Sequence, residues 1–241
     1  MTIFLAELIG TAVLILLGNG VVANVVLQQT KGNSSGWIVI TLGWAIGVFT
    51  AVFMVSAYSG AHINPAVTLA FWLKDTITLS QAMAYVSGQM LGAALGACLV
   101  WLHYRPHIAA TQDVHAKLAI FCTAPAIRHR VQNFISEVIG TFLLVFAVLF
   151  ISGASVGDQS ASLGSLDALP VALVVLGIGL SLGGTTGYAI NPARDLGPRI
   201  MHALLPIQHK GSSDWAYAWI PIFGPLTGAT LATLLHTALV A

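Results

Sequence analysis

Charge is the property that this chain most lacks. Charged residues make up 7% of its 241 residues and hydrophobic residues make up 57%, whereas soluble domains carry about 25% charged residues. The nine Lys and Arg residues and the eight Asp and Glu residues leave a net charge of +1. Composition therefore offers no basis for binding nucleic acid. It is typical of an integral membrane protein surrounded by a lipid bilayer.

Cysteines are also scarce, as are clusters of chemically reactive groups. Cys98 lies in an apolar stretch and Cys122 in a connecting segment, which argues against a disulfide framework and against a metal site. The histidines do not have metal-ligand spacing either. Because no Ser/His/Asp or metal constellation falls within the apolar segments, an intramembrane enzyme is disfavoured. We expect no catalytic residues, no metal and no cofactor.

Long hydrophobic runs are what the chain has in abundance. About 20 apolar residues are needed to span a bilayer. Stretches of suitable length and composition lie at about 3–27, 37–58, 81–102, 133–152, 168–186 and 216–238. Two further segments are too interrupted to span the bilayer and too apolar to be ordinary loops, at 60–78 and 187–214. The pattern predicts an all-α membrane protein with six transmembrane helices and two half-helices, packed as one domain over residues 1–241.

The two halves of the sequence resemble each other. Glu-Leu-Ile-Gly-Thr at Glu7–Thr11 recurs as Glu-Val-Ile-Gly-Thr at Glu137–Thr141, which indicates an internal repeat. Each half contains three spans, an odd number, so the second half must lie upside down relative to the first. The sequence therefore predicts inverted repeats over about 1–102 and 131–241, with the functional site between them near the middle of the membrane.

Glycines at four-residue spacing occur in the third and sixth spans. They are Gly88, Gly92 and Gly96 in the first half, and Gly224 and Gly228 in the second. Since no hydrophobic force drives helices together in lipid, close association depends on small faces of this kind. We expect these glycines to lie at tight helix contacts.

A polar triplet, Asn-Pro-Ala, occurs once in each half-helix segment. Its residues are Asn64, Pro65 and Ala66 in the first segment and Asn191, Pro192 and Ala193 in the second. A proline directly after a polar residue favours the start of a helix. Two helix starts at membrane depth need a cavity or other protein to satisfy their backbone groups. The pair of triplets therefore predicts a duplicated pore element.

These motifs together resemble the aquaporin family, also called the major intrinsic proteins. The resemblance rests on both triplets, on the segment Ser59–Thr68, on the paired Glu7 and Glu137, and on Asn191–Pro198, and it extends over essentially the whole chain. It implies six spans with two re-entrant half-helices, one pore through each subunit, and a homotetramer.

The resemblance also implies roles for the residues of the pore. Asn64 and Asn191 would cap the two half-helices and direct amide donors into the channel. Two facing helix N-termini, each carrying about half a positive charge, would disfavour cations and proton relay. Arg194 would exclude cations at a constriction on the extracellular side and donate hydrogen bonds to a solute oxygen.

The remaining members of that constriction follow from the family's spacing. The resulting set is Trp44, Gly179, Tyr188 and Arg194. Water-selective relatives typically have histidine in place of Gly179, so glycine is expected to leave room for a carbon backbone. The set resembles the glycerol-facilitator branch, although phenylalanine is more usual than Tyr188. The residues that mark this branch include Asp195, Arg199, Pro221 and Ile222. The alternative is that these four residues have purely structural roles.

Glu7 and Glu137 are expected to accept hydrogen bonds from backbone N–H groups of the two triplet loops; a proton relay between them is the alternative. That arrangement would turn a ladder of carbonyl groups toward the pore, at Gly60, Ala61, His62 and Ala189. His62 is also expected to line the cytoplasmic mouth, where a pH gate is the weaker alternative.

We expect a passive channel for glycerol and water in a bacterial-type cell membrane. Further candidate solutes are urea, dihydroxyacetone, lactic acid and hydrogen peroxide. A water-selective channel and a proton-coupled secondary transporter are the alternatives. The family has cytoplasmic N- and C-termini, an orientation that would place most cationic loop residues outside the cell. The positive-inside rule therefore favours the opposite orientation.

Overall fold

A computed structural model describes residues 1–151 and 162–240, together with the backbone of two short strands between them. The helices are α1 (Ile3–Val26), α2 (Trp37–Ser59), α3 (Pro65–Leu73), α4 (Leu79–Ala110), α5 (Val114–Ala119), α6 (Arg130–Phe150), α7 (Leu169–Ser181), α8 (Pro192–Leu204) and α9 (Ile220–Val240). The strands are β1 (Ser155–Val156) and β2 (Gln159–Ser160), which pair antiparallel, and a 3-10 helix (Gly164–Ala168) precedes α7.

Among the described residues, six helical segments are long and apolar enough to cross a membrane. They correspond to the six spans predicted from the sequence. Their outer faces carry large exposed side chains such as Ile46, Leu91 and Leu235, which suits them to contact with lipid tails rather than water. The chain is an integral membrane protein.

Glycines bring α4 against α1, and α9 against α6, at backbone distance. A Cβ atom added at Gly92 would lie 2.3 Å from the carbonyl oxygen of Leu8, and one added at Gly228 would lie 2.4 Å from that of Val138. Only a residue without a side chain fits at such a distance. The predicted packing role of the spaced glycines is confirmed.

The half-helices α3 and α8 begin at the two Asn-Pro-Ala triplets. Asn64 and Asn191 are the N-cap residues, with extended backbones, and Pro65 and Pro192 occupy the first helical position. Proline is favoured there because the N–H group it lacks would have no partner within the helix.

The sequence placed several boundaries differently from the structure. The third span was predicted to end at 102, with a loop from 103 to 132. Instead, α4 continues to Ala110 with Pro106 inside it, and α5 follows. Hydropathy marks where a helix leaves the lipid, but a helix that continues into water needs no apolar residues there. The predicted link over 153–167 lies largely outside the described residues.

Candidate functional site

The two triplet loops meet at the N-termini of α3 and α8. The Asn64 side-chain amide donates a hydrogen bond to the carbonyl of Ile190 at 2.8 Å, and the Asn191 amide donates to the carbonyl of Ile63 at 2.8 Å. Each Asn side-chain oxygen meanwhile accepts from the first free N–H of its own helix, at Ala66 and Ala193. The two helix starts are thus tied directly to each other.

The backbone that leads into each triplet is strained in the same pattern. Ala61 and Ile63 have φ of 53° and 44°, and Tyr188 and Ile190 have φ of 37° and 43°. The left-handed region is rarely occupied by β-branched residues such as isoleucine, and such a residue costs about 1–3 kcal/mol unless its surroundings hold it there. In each loop the two left-handed residues are separated by one residue that lies outside this region.

Glu7 holds the first of these loops in place. Its carboxylate accepts from the backbone N–H groups of His62 at 3.0 Å and Ile63 at 2.6 Å. The Ser59 hydroxyl and the Gln89 amide donate to the same carboxylate at 2.6 Å and 2.8 Å. The group is fully buried, and four donors replace the water that burial removes.

Glu137 has the equivalent position in the second half. Its carboxylate accepts from the backbone N–H groups of Ala189 at 3.1 Å and Ile190 at 2.9 Å. In the part of the chain that the structure describes, no backbone N–H group donates to the neighbouring carbonyl groups of the two loops. These carbonyl groups belong to Gly60, Ala61, His62 and Ala189.

A cavity of about 210 Å³ runs alongside both loops. This volume far exceeds the roughly 10–15 Å³ that a single water requires. The lining includes residues of both loops together with Asn64 and Asn191. It also includes Asp167 and the aliphatic residues Leu14, Val48, Val52, Leu144, Val148 and Val175. The cavity therefore combines hydrogen-bonding groups with a hydrocarbon surface.

Trp44, Tyr188 and Arg194 lie together at one end of this cavity. The Arg194 guanidinium carbon is 4.1 Å from the centroid of the Trp44 ring, within the range of a cation–π contact. Arg194 Nη1 and the Tyr188 hydroxyl are both buried and have no hydrogen-bond partner among the described residues. Both groups are therefore available to hydrogen-bond a small polar molecule.

The sequence-based interpretation of Gly179 needs a correction. The prediction was that the space beside Gly179 accommodates the solute, but in the structure the Tyr188 ring occupies that space. A Cβ atom added at Gly179 would lie 3.0 Å from Tyr188 Cζ and 3.1 Å from its hydroxyl oxygen, and Gly179 does not line the cavity. The glycine makes room for an aromatic ring, and Tyr188 lines the cavity.

Asp195 and Arg199 bind the loops that surround α8 and do not line the cavity. Asp195 accepts from the N–H and hydroxyl of Thr123 at 2.8 Å and 2.7 Å, and from Arg199 Nε at 2.8 Å. Arg199 also donates to the carbonyls of Thr123 and Ser213. Since the pair is buried, these bonds compensate both charges.

The remaining predicted residues fall into two groups. Pro221 and Ile222 lie in the first turn of α9 and outside the cavity lining, and the structure gives them no contact with the channel. His62 does line the cavity. Its ring is stacked between Phe71 and Tyr85, with centroids 4.7 Å and 4.0 Å away, and its Nδ1 lies 3.2 Å from the Thr68 hydroxyl.

Comparison with known proteins identifies this architecture. The family model described as "Major intrinsic protein" matches residues 1–236 of this chain.

The chain belongs to the major intrinsic protein family.

Curated relatives of this major intrinsic protein match almost its entire length. The "Glycerol uptake facilitator protein" of Streptococcus pneumoniae (strain ATCC BAA-255 / R6) is 53% identical over 231 residues, which cover 96% of each chain. The "Probable glycerol uptake facilitator protein" of Thermotoga maritima is 51% identical over 236 residues, which cover 98% of each chain. A "D/L-lactic acid transporter" of Lactiplantibacillus plantarum is 39% identical over 95% of this chain and 93% of its own.

The fold matches a solved structure as well. The X-ray structure of the aquaglyceroporin from Plasmodium falciparum superposes with a TM-score of 0.82 at 30% identity, covering 97% of this chain and 93% of that one. The predicted fold class and the predicted membership of the aquaporin family, on its glycerol-facilitator branch, are confirmed.

Sequence reasoning missed several residues that support this site. Ser59 and Gln89 bind the Glu7 carboxylate, and Thr123 binds Asp195. The position of Ser59 in the repeat matches that of Thr186, whose side chain hydrogen-bonds to Glu137. Alignment of the two halves could therefore have found both residues. Nothing in the sequence singles out Gln89, whose counterpart in the second half is a proline.

Proposed function

We propose that this major intrinsic protein is a passive channel for glycerol and other small uncharged solutes, with water passing along the same path. The mixed lining of the cavity carries the proposal. A polyol has hydroxyl groups along a hydrocarbon chain, so its hydroxyls find hydrogen-bonding partners in the two loops and their Asn side chains. Its C–H groups meet the aliphatic side chains of the lining. Selectivity of this kind depends on the groups that line the pore and on its width.

The comparisons support a channel for glycerol in particular. Relatives matched over nearly their whole length carry the name glycerol uptake facilitator, and the structural neighbour is an aquaglyceroporin. None of these names denotes an enzyme.

Exclusion of ions is assigned to the helix starts and to Arg194. The N-termini of α3 and α8 each carry about half a positive charge, and both lie at the cavity wall with Asn64 and Asn191. Arg194 adds a full charge at one end. A cation that has shed its hydration shell would meet repulsion at both places, whereas a neutral solute would accept hydrogen bonds from Arg194 and the Asn amides.

The finer substrate range belongs to the proposal too. Urea, dihydroxyacetone and hydrogen peroxide share small size, neutrality and hydrogen-bonding groups. Lactic acid in its neutral form does as well, and a relative is named as a lactic acid transporter. The proposal also includes a homotetramer in a bacterial cell membrane, with both termini in the cytoplasm.

Stopped-flow light scattering on proteoliposomes tests the proposal. Purified protein should accelerate both osmotic shrinkage by water and re-swelling by glycerol, relative to empty liposomes, without saturation and without any ion gradient. Rapid shrinkage with no glycerol entry would favour a water-selective channel. Saturable uptake that stops when the proton gradient is collapsed would favour a coupled transporter.

A further inference from the structure

The Tyr188 ring lies in a slot whose floor is the end of α7. A Cβ atom added at Gly183 would lie 2.4 Å from Tyr188 Cδ1 and 2.6 Å from the carbonyl oxygen of Gly179, and one added at Gly179 would lie 3.0 Å from Tyr188 Cζ. The two glycines are four residues apart, with Gly179 in the last turn of α7 and Gly183 just beyond its end at Ser181, and both lie against the Tyr188 ring. Neither residue lines the cavity.

Trp37 closes another side of the slot and does not line the cavity. Its ring meets the Tyr188 ring edge-on, with centroids 5.8 Å apart and an interplanar angle of 79°. The indole N–H donates to the carbonyl of Gly179 at 2.9 Å, and Trp37 Cζ2 would lie 2.8 Å from a Cβ atom at Gly183. Trp37 is therefore fixed to the same turn that forms the floor.

The ring is thus confined on two sides and borders the cavity on the third. Carbon atoms pack at about 3.5–4.0 Å, so a methyl group at Gly183 would displace the ring or its neighbours by about 1 Å. With Trp37 and α7 behind it, the ring's open direction is toward the channel. There it faces Arg194 and Trp44.

We propose that Gly183 and Trp37 are specificity-determining residues of the channel, because the slot that they form sets how far Tyr188 projects into the filter. Gly183 allows the ring to recede, and Trp37 stops it from receding further. Both are positioning residues that act through Tyr188. This inference rests on the proposed function, since it concerns the passage of glycerol relative to water.

Two substitutions should shift the glycerol-to-water permeability ratio in opposite directions. Gly183→Ala pushes the ring into the channel, so glycerol permeability should fall by about tenfold or more relative to water, as expected when a packed site is overfilled. Trp37→Ala opens the outer side of the slot, so the ratio should rise. Both permeabilities are measured by stopped-flow on proteoliposomes that contain equal amounts of protein.

The chain offers a matched control in Gly184. It follows Gly183 in the same turn, but a Cβ atom added there would meet no atom within 4 Å. Gly184→Ala should leave the ratio unchanged. In a Tyr188→Ala background, Gly183→Ala should have no further effect on the ratio, because the ring through which it acts is gone.

The outcomes separate the inference from the function on which it rests. If the unaltered protein passes no glycerol, the proposed function fails before any variant is compared. If it passes glycerol but Gly183→Ala preserves the ratio, or lowers it equally with and without Tyr188, the slot does not set specificity. If Gly183→Ala does not fold, Trp37→Ala still decides, since an unchanged or lowered ratio contradicts the inference.

Discussion

At the scale of single residues, the buried carboxylates connect backbone strain to channel geometry. Glu7 receives four hydrogen bonds, with two donors on each oxygen. Two of these donors are the backbone N–H groups of His62 and Ile63. Ile63 has a left-handed backbone, and His62 lies between it and the left-handed Ala61. A carboxylate suits this position because it accepts at both oxygens and donates at neither.

Glu7→Gln should therefore destabilise the protein. The amide NH₂ must replace one oxygen, and in either orientation it faces donors that lose their acceptor. Each buried group left unsatisfied costs about 1–3 kcal/mol, so the melting temperature of the detergent-solubilised protein should fall clearly. Circular dichroism or dye-monitored unfolding provides the measurement.

Asp75→Asn is the matched control for the loss of a carboxylate. Asp75 is exposed near the end of α3, and its replacement should leave the melting temperature unchanged. Equal melting temperatures for Glu7→Gln and the unaltered protein would show that the carboxylate does not hold the loop.

Residue types at the site were predictable from sequence, but the contacts among them were not. Trp44, Tyr188 and Arg194 do meet at one end of the cavity. The role of Gly179 was misjudged because the spacing of motifs does not show which side chain fills a space. That depends on the left-handed backbone of Tyr188 and on the ring of Trp37, which lies 142 residues before Gly179 in the chain. The four-residue spacing of Gly179 and Gly183 was the available signal.

At the scale of elements, the two half-helices act as a pair of fixed partial charges. Each begins at an Asn whose amide reaches the loop of the other half, so the positive ends of α3 and α8 converge at the cavity. Both N-termini are buried in the protein, so little water screens the field there.

Asn64→Asp should admit cations. A carboxylate cannot donate to the carbonyl of Ile190, and its full negative charge offsets the two partial charges of about +0.5 at the helix N-termini. Proteoliposomes loaded with a pH-sensitive dye should show faster proton entry under an imposed potential, while water flux persists.

Asn24→Asp provides the comparison for Asn64→Asp. Asn24 lies near the end of α1 and accepts from the N–H of Gly32 through its side-chain oxygen, a bond that a carboxylate retains. Proton entry through this variant should equal that of the unaltered protein. If Asn64→Asp is equally proton-tight, the field of the half-helices is not what excludes cations.

The number and order of the elements were predictable, because apolar runs of span length and the two proline-marked helix starts are strong signals. The aqueous ends of the helices were not. The segment 103–110 contains His, Tyr, Arg and Pro, which reads as a loop. In the structure α4 continues through it, and the carbonyl of Gln28 lies 3.2 Å from His107 Nδ1. That contact comes from a loop far away in the sequence.

At the scale of the whole molecule, cationic residues are concentrated on the face where α1 and α4 end. Lys31, Arg128 and Lys210 belong to loops on that face, and Lys117 belongs to α5 on the same face. Lys74 lies on the opposite face at the end of α3. The positive-inside rule would put the cation-rich face in the cytoplasm, whereas the family topology puts it outside.

Several of these cations have structural partners. The buried Lys117 ammonium donates to the carbonyl of Gln208 at 2.8 Å, and Lys210 donates to the carbonyls of Ala203 and Leu205. Arg128 pairs with Asp214, and this hydrogen bond raises the pKa of the arginine. The presence of these cations is explained by the contacts that they make within the protein. Their number is therefore a poor guide to the orientation of the protein in the membrane.

We therefore predict that both termini are cytoplasmic and that the cation-rich face is extracellular. A protease-cleavable tag at the C-terminus should be protected in intact cells and cut in inverted vesicles. The same tag inserted between Ser34 and Ser35, both exposed in the loop after α1, should be cut in intact cells. The reverse pattern would mean that positive charge governs insertion, and Arg194 would then guard the cytoplasmic end of the channel. Flux measurements on the reconstituted protein would not be affected, so orientation and permeability can be decided independently.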